Sequence, residues 1–195
     1  MMRFFILLIL VMSTGYSQDD NSGAVSRNRK PFAWPNGARV AVSLTFDDAR
    51  TSQVDVGLSI LDRYDVKATF YIVPENFAKR RELWVAAFKN GHEIANHSLV
   101  HPCSGNFSWA RNKALEDYTL EKMRDELLQA NHYIQHQIGE VPISFAYPCG
   151  QTYVGRGTEL QSYIPLVASL FLTARGWRNE FSNDPTFCDL ANLAG

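Results

Sequence analysis

The sequence predicts an α/β fold built on parallel strands, and three observations predict it. Short β-branched and aromatic runs alternate with amphipathic stretches of helical period. Two of the runs stop at proline, Pro74 and Pro148. Acidic and imidazole side chains follow directly after the runs. Strands that alternate with helices imply a parallel sheet with right-handed crossovers. In such sheets ligands and catalytic groups collect at the carboxyl ends of the strands.

Taken in order, Val40, Val42, Leu44 and Phe46 alternate as a strand does and end in the paired acids Asp47 and Asp48. Residues 54–64 then carry Val54, Leu58, Ile60 and Leu61 near helical spacing, with Asp65 as the stop. Residues 68–73 read as a buried strand ended by Pro74. A helix is expected over 81–89, with Leu83, Trp84, Ala87 and Phe88 on one side and Asn90-Gly91 closing it. A third strand over 92–96 opens onto His97. The longest helix is expected over 115–137, with Leu120, Met123, Leu127, Ala130 and Ile134 as its stripe and Gly139 as its end. Residues 143–147 make a fourth strand, stopped by Pro148. Trp34, Trp84 and Trp177 are assigned to the core.

The chain of 195 residues, 46% hydrophobic, suffices for one sizeable domain, expected over 35–195. Residues 1–17 read as a secretory signal, with Arg3 before the apolar run from Phe4 to Met12 and small residues ahead of Gln18. That run is too short for a comfortable membrane span, so a secreted or periplasmic protein with no stable span after cleavage is expected. Residues 18–34 read as a polar linker. Lys plus Arg (19) nearly balances Asp plus Glu (20) and no basic stripe is visible, which excludes the footprint of a nucleic-acid binder. Three cysteines in an oxidising compartment allow one disulfide and one free thiol, and the pairing stays open. Cys149 reads as a half-cystine or a small buried residue in preference to a nucleophile.

The chemistry is carried by two segments. Adjacent carboxylates repel and resist burial, so a core strand ends in Asp47-Asp48 only where something offsets the charge. A cation does so, and His97 and His101 supply two imidazoles about fifty residues on. Asp48, His97 and His101 form a mixed imidazole and carboxylate ligand set suited to zinc or a similar divalent metal. Asp47, pointing the other way on a strand, is left as general base toward water. Paired acids alone would more often cap a helix, and an HxxxH alone is weak. His132 and His136 share the spacing on the polar face of the long helix and read as a solvated surface. His92 and Glu93 read as packing or orienting residues, and Phe107 and Trp109 either stack on the face of a ligand or join the core.

Thr45-Phe46-Asp47-Asp48 and Asn96-His97-Ser98-Leu99-Val100-His101-Pro102 resemble the first two motifs of the polysaccharide deacetylase family, the NodB-like carbohydrate esterases, and Phe145-Ala146-Tyr147-Pro148-Cys149-Gly150 resembles the third. The resemblance implies a distorted (β/α) barrel, incomplete at its carboxyl end, with Asp47 as base and Asp48, His97 and His101 as metal ligands. It implies that Tyr147, Pro148 and Cys149 line the substrate groove and supply an oxyanion N–H. Many relatives carry an arginine where Ala146 stands, and Arg175 is the expected substitute. The family's late general-acid histidine has no counterpart, since no histidine follows Cys149. The implied activity is removal of N- or O-acetyl groups from a polysaccharide or oligosaccharide. The alternatives are a metallo-hydrolase of a non-sugar amide or imide, and a degenerate carbohydrate-binding relative.

Overall fold

A computed structural model describes residues 32–179 and 181–195, and the expected signal and most of the linker lie outside them. Residues 32–195 form one compact unit. Five strands make its sheet: β1 (Thr45–Asp47), β2 (Thr69–Ile72), β3 (Glu93–Asn96), β4 (Ser144–Ala146) and, after the small antiparallel pair β5 (Tyr153–Val154) and β6 (Gln161–Ser162), β7 (Thr173–Arg175). The order is β1-β2-β3-β4-β7, every pairing is parallel, and the sheet curls into a half-barrel. The helices are α1 (Leu58–Arg63), α2 (Pro74–Ala78), α3 (Arg81–Lys89), α4 (Leu120–Ile138) and α5 (Ile164–Leu170).

One face of the sheet packs on helices in two clusters. Phe70, Ile72 and Ile94 meet Trp84 of α3, Phe77 of α2 and Ile134 of α4. Phe145 and Ala174 meet Met123 and Leu127 of α4, Val167 of α5 and Tyr163. α4 joins both clusters because its apolar stripe runs its whole length. Thr119 caps it by accepting from the Lys122 N–H at 3.2 Å, and Gly139 ends it at φ 87°, a left-handed conformation that costs glycine little.

Several expectations change in the structure. The first strand is only Thr45–Asp47, and Val40 and Val42 are exposed, because β1 pairs with β2 alone and that ladder begins at Thr69. The stretch after the paired acids is a five-residue π-helical turn, Gln53–Gly57, leading into α1, and Ile60 faces solvent. Pro74 does more than stop β2: it is the first residue of α2, where its missing N–H has no cost. α3 has the expected bounds, but Leu83 is exposed. The long helix starts at Leu120, since Leu115–Asp117 is a separate 3-10 turn. Of the three tryptophans assigned to the core, Trp84 is buried, Trp34 is only half-buried and Trp177 is exposed.

Candidate active site

The strands deliver the motif residues to one end of the sheet. Asp47 is the last residue of β1, His97 follows β3, the Pro148–Gly150 turn follows β4, and Arg175 ends β7. A cleft of about 760 Å³ opens there, lined by Asp47, Asp48, His97, His101, Tyr147 and Cys149, with Phe107, Trp109 and Trp177 at its rim.

Asp48 lies just past the strand, at φ 75°, and Ala49 follows at φ 51°. This left-handed turn is strained for both residues and takes Asp48 out of the alternation of β1. Strand alternation therefore explains only part of their divergence. Asp48 Oδ1 stands 3.7 Å from His97 Nε2 and 3.5 Å from His101 Nε2, and one ligand atom from each residue falls within 4.8 Å of the others. His97 Nδ1 lies 2.8 Å from the Ala146 carbonyl. That oxygen can only accept, so Nδ1 carries the proton and Nε2 keeps its lone pair toward Asp48. Burial lowers the His97 pKa, and burial together with the neighbouring His97 lowers that of His101 to about 4. Two neutral imidazoles and a carboxylate with converging lone pairs fit a divalent metal of the zinc type. Arg50 also reaches Asp48, from Nη2 to Oδ2 at 3.0 Å.

The loop joining the histidines is held by groups that sequence reasoning passed over. Glu126 Oε1 on α4 accepts the N–H groups of Leu99 at 3.1 Å and Val100 at 2.8 Å. Burial raises its pKa against the pull of those donors. Asn96 Oδ1 accepts the Ser98 N–H, and Ser98 Oγ accepts that of His101 at 2.9 Å. Ser98 and His101 both have positive φ, at 66° and 54°, so the loop needs these bonds to keep its shape. The signal for Glu126 was present: an acid three residues after Met123 sits on the apolar stripe and calls for a buried partner.

Asp47 is paired with Arg175, whose Nη2 donates to its Oδ1. The strands give the reason. Asp47 is in register with Tyr71, and Tyr71 with Ala95; on the far side Ala146 is in register with Arg175. Tyr71, Ala95 and Ala146 form the small apolar cluster of this face. The guanidinium passes 4.7 Å from the Tyr71 ring centroid and reaches the opposite edge strand. Alanine at 95 and 146 leaves its path open. Ala146 is thus accompanied by an arginine one strand away.

Of the three groove residues, Tyr147 donates its backbone N–H to the Arg175 carbonyl at 3.0 Å. Its hydroxyl donates to the Ala191 carbonyl at 2.7 Å. Pro148 is buried and has no N–H. Only Cys149 of the three can offer a backbone N–H to the cleft. Cys149 is also a half-cystine, bonded to Cys103, which answers the open pairing, and Cys188 is exposed and free. Trp109 stands 5.7 Å from His101, with Phe107 5.5 Å from Trp109. Both are exposed at the rim, so neither belongs to the core. His132 and His136 lie on the outer face of α4, away from this cleft. His92 is buried, with its Nδ1 accepting the Ala68 N–H at 3.2 Å, its Nε2 3.4 Å from Asp62 Oδ1 and its ring edge-on to Phe70.

A family model described as polysaccharide deacetylase matches residues 24–162. A peptidoglycan-N-acetylglucosamine deacetylase of Bacillus cereus is 26% identical over 151 residues, covering 74% of this chain and 63% of that protein. The peptidoglycan-N-acetylglucosamine deacetylase PgdA of Listeria monocytogenes is 27% identical over 110 residues, which are 56% of this chain and 21% of that protein. The chain thus spans about a fifth of the Listeria protein. Among solved structures, the Streptococcus pyogenes deacetylase PplD in complex with acetate shares the fold, with a TM-score of 0.61 at 20% identity over 80% of this chain and 64% of the other.

Proposed function

Since this chain belongs to the polysaccharide deacetylase family, we propose that it is a metal-dependent hydrolase that removes acetyl groups from an N- or O-acetylated polysaccharide outside the cytoplasm. The observation that carries this reading is the convergence of Asp48, His97 and His101 beside an Asp47 paired with Arg175. The three ligands would hold zinc or a similar divalent cation, which polarises a carbonyl and makes water more acidic.

Asp47 is the general base. Its carboxylate accepts a proton from water while the water oxygen adds to the acetyl carbonyl. Arg175 keeps that carboxyl oriented by donating to its Oδ1 from Nη2. The oxyanion that develops faces the Cys149 N–H, the donor of its turn that is left for it. Asp47, once protonated, returns the proton to the departing amine or alkoxide. The exposed rings of Phe107, Trp109 and Trp177 suit the flat apolar faces of sugar rings.

The apolar run from Phe4 to Met12 and the Cys103–Cys149 disulfide both favour an oxidising, extracytoplasmic site. No helix among the described residues is long and apolar enough to cross a membrane.

Acetate release from N-acetylglucosamine oligomers, peptidoglycan and acetylated xylan, each with zinc, cobalt or a chelator, tests the proposal. Release that needs metal and survives no chelator is expected. No release from any of the three with either metal overturns it.

A further inference from the structure

A second ligand set adjoins the first. His101, Cys103 and Cys149 bring one imidazole nitrogen and two sulfurs within 4.8 Å of one another. The sulfurs are joined as a disulfide, across 46 residues of sequence and a Cα–Cα distance of 6.1 Å. In that state they are poor ligands, because the metal-binding form of cysteine is the thiolate. The bond ties the loop after β3 to the turn after β4. Cys103 is fully buried, whereas Cys149 is half-buried and lines the cleft, within reach of a solute that enters it.

The His101 ring stands between the two sets. Its Nε2 is 3.5 Å from Asp48 Oδ1, and its Nδ1 is 3.6 Å from Cys103 Sγ. A neutral imidazole has a lone pair on one nitrogen and a proton on the other. His101 can therefore serve one set or the other, and which it serves depends on whether the sulfurs are free.

We propose that the Cys103–Cys149 disulfide is the closed form of a second metal site, one that holds a soft cation such as Zn(II) or Cu(I) through two thiolates and His101 Nδ1 after reduction and thereby withdraws His101 from Asp48 and His97. A dithiol supplies the two electrons. Its thiolate attacks Cys149 Sγ, the sulfur–sulfur bond breaks with its electron pair going to Cys103, and the second thiol of the reductant closes a ring that releases Cys149. Two protein thiols and one oxidised dithiol result, and the cation displaces two thiol protons to water. Two thiolates on one tetrahedral zinc stand roughly 3.7 Å apart, a spacing open only to the broken bond. Thiolates outcompete a carboxylate for such cations. The Asp48 set is then complete only where disulfides persist, so the centre stays unassembled in a reducing compartment.

The test uses the full chain carrying Cys188→Ala, which removes the exposed third thiol. One equivalent of cobalt(II) chloride is added to the oxidised protein and to protein reduced with a phosphine. A near-ultraviolet thiolate-to-cobalt band is expected only after reduction, at the strength of two thiolates. It should fall by about half in Cys103→Ser or Cys149→Ser, and His101→Ala should weaken cobalt binding about tenfold. The band should persist in Asp48→Ala, which damages only the other set, so this proposal and the catalytic one fail separately. A reduced protein without the band overturns the proposal. So does a band equally strong in urea, which would mean that the fold builds no site, and so does loss of the band in Asp48→Ala.

Discussion

The chain contains two histidine pairs of identical spacing, His97/His101 and His132/His136, and the fold treats them in opposite ways. The first pair flanks a loop with two left-handed residues, pinned by Asn96, Ser98 and Glu126, and its rings meet edge to face at 4.7 Å. The second lies one helical turn apart on the outer face of α4, where His136 meets Gln137 by a hydrogen bond of 3.4 Å. Spacing is the same in both, so spacing carries little of the function. What separates them is the neighbouring carboxylate and the burial of the first pair, and the fixed tautomer of His97.

The largest effect should come from removing groups around the first pair. His97→Ala is expected to cost most of the bound zinc and at least a hundredfold in acetate release, read by metal analysis and kinetics. The equivalent His132→Ala should leave both unchanged. Metal lost equally from the two variants would erase the contrast. Asp47→Asn should lose on the order of a hundredfold in kcat while the metal stays bound. Loss of metal in that variant would make Asp47 a ligand and not the base.

Next in size is the support of the loop. Glu126→Leu leaves the part-buried N–H groups of Leu99 and Val100 without their acceptor, a cost of about 1–2 kcal/mol in urea unfolding. Metal affinity should weaken with it. Glu126→Gln keeps a carbonyl oxygen for the same two donors and should retain most of both properties. A Gln variant as damaged as the Leu variant would point to the charge and not to the hydrogen bonds.

pH sharpens the comparison further. The pKa of His101 is lower in the folded chain, about 4, than the ordinary value near 6.5 of an unfolded one. Below 6.5 the unfolded chain therefore binds more protons, and stability falls as pH falls from about 6.5 towards 4. The loss should be on the order of 2 kcal/mol in chelator-treated protein. His101→Ala should lessen that slope, the buried His97 supplying the rest, and an unchanged slope would remove His101 as a source. The smallest effect is on the far side of α4, where His136→Ala should shift stability by about 0.5 kcal/mol or less.

The sequence alone determined the parallel α/β architecture, the positions of β2, β3 and β4 to within about two residues, the bounds of α3, and the family, because these rest on local periodicity, stop signals and short motifs. It marked Asp47, Asp48, His97 and His101 for the same reason, since each motif is contiguous. The tertiary structure alone decided what depends on contacts between distant segments. The Cys103–Cys149 pairing is one such contact, as is the clasp of Glu126 on the histidine loop. A third is the passage of Arg175 over Tyr71 to Asp47, 128 residues away in sequence. It also moved Trp177 from the core to the rim and left Val40 and Val42 in solvent. An alternating or aromatic run shows what could be buried, whereas burial itself requires a partner surface, and only the folded chain supplies one.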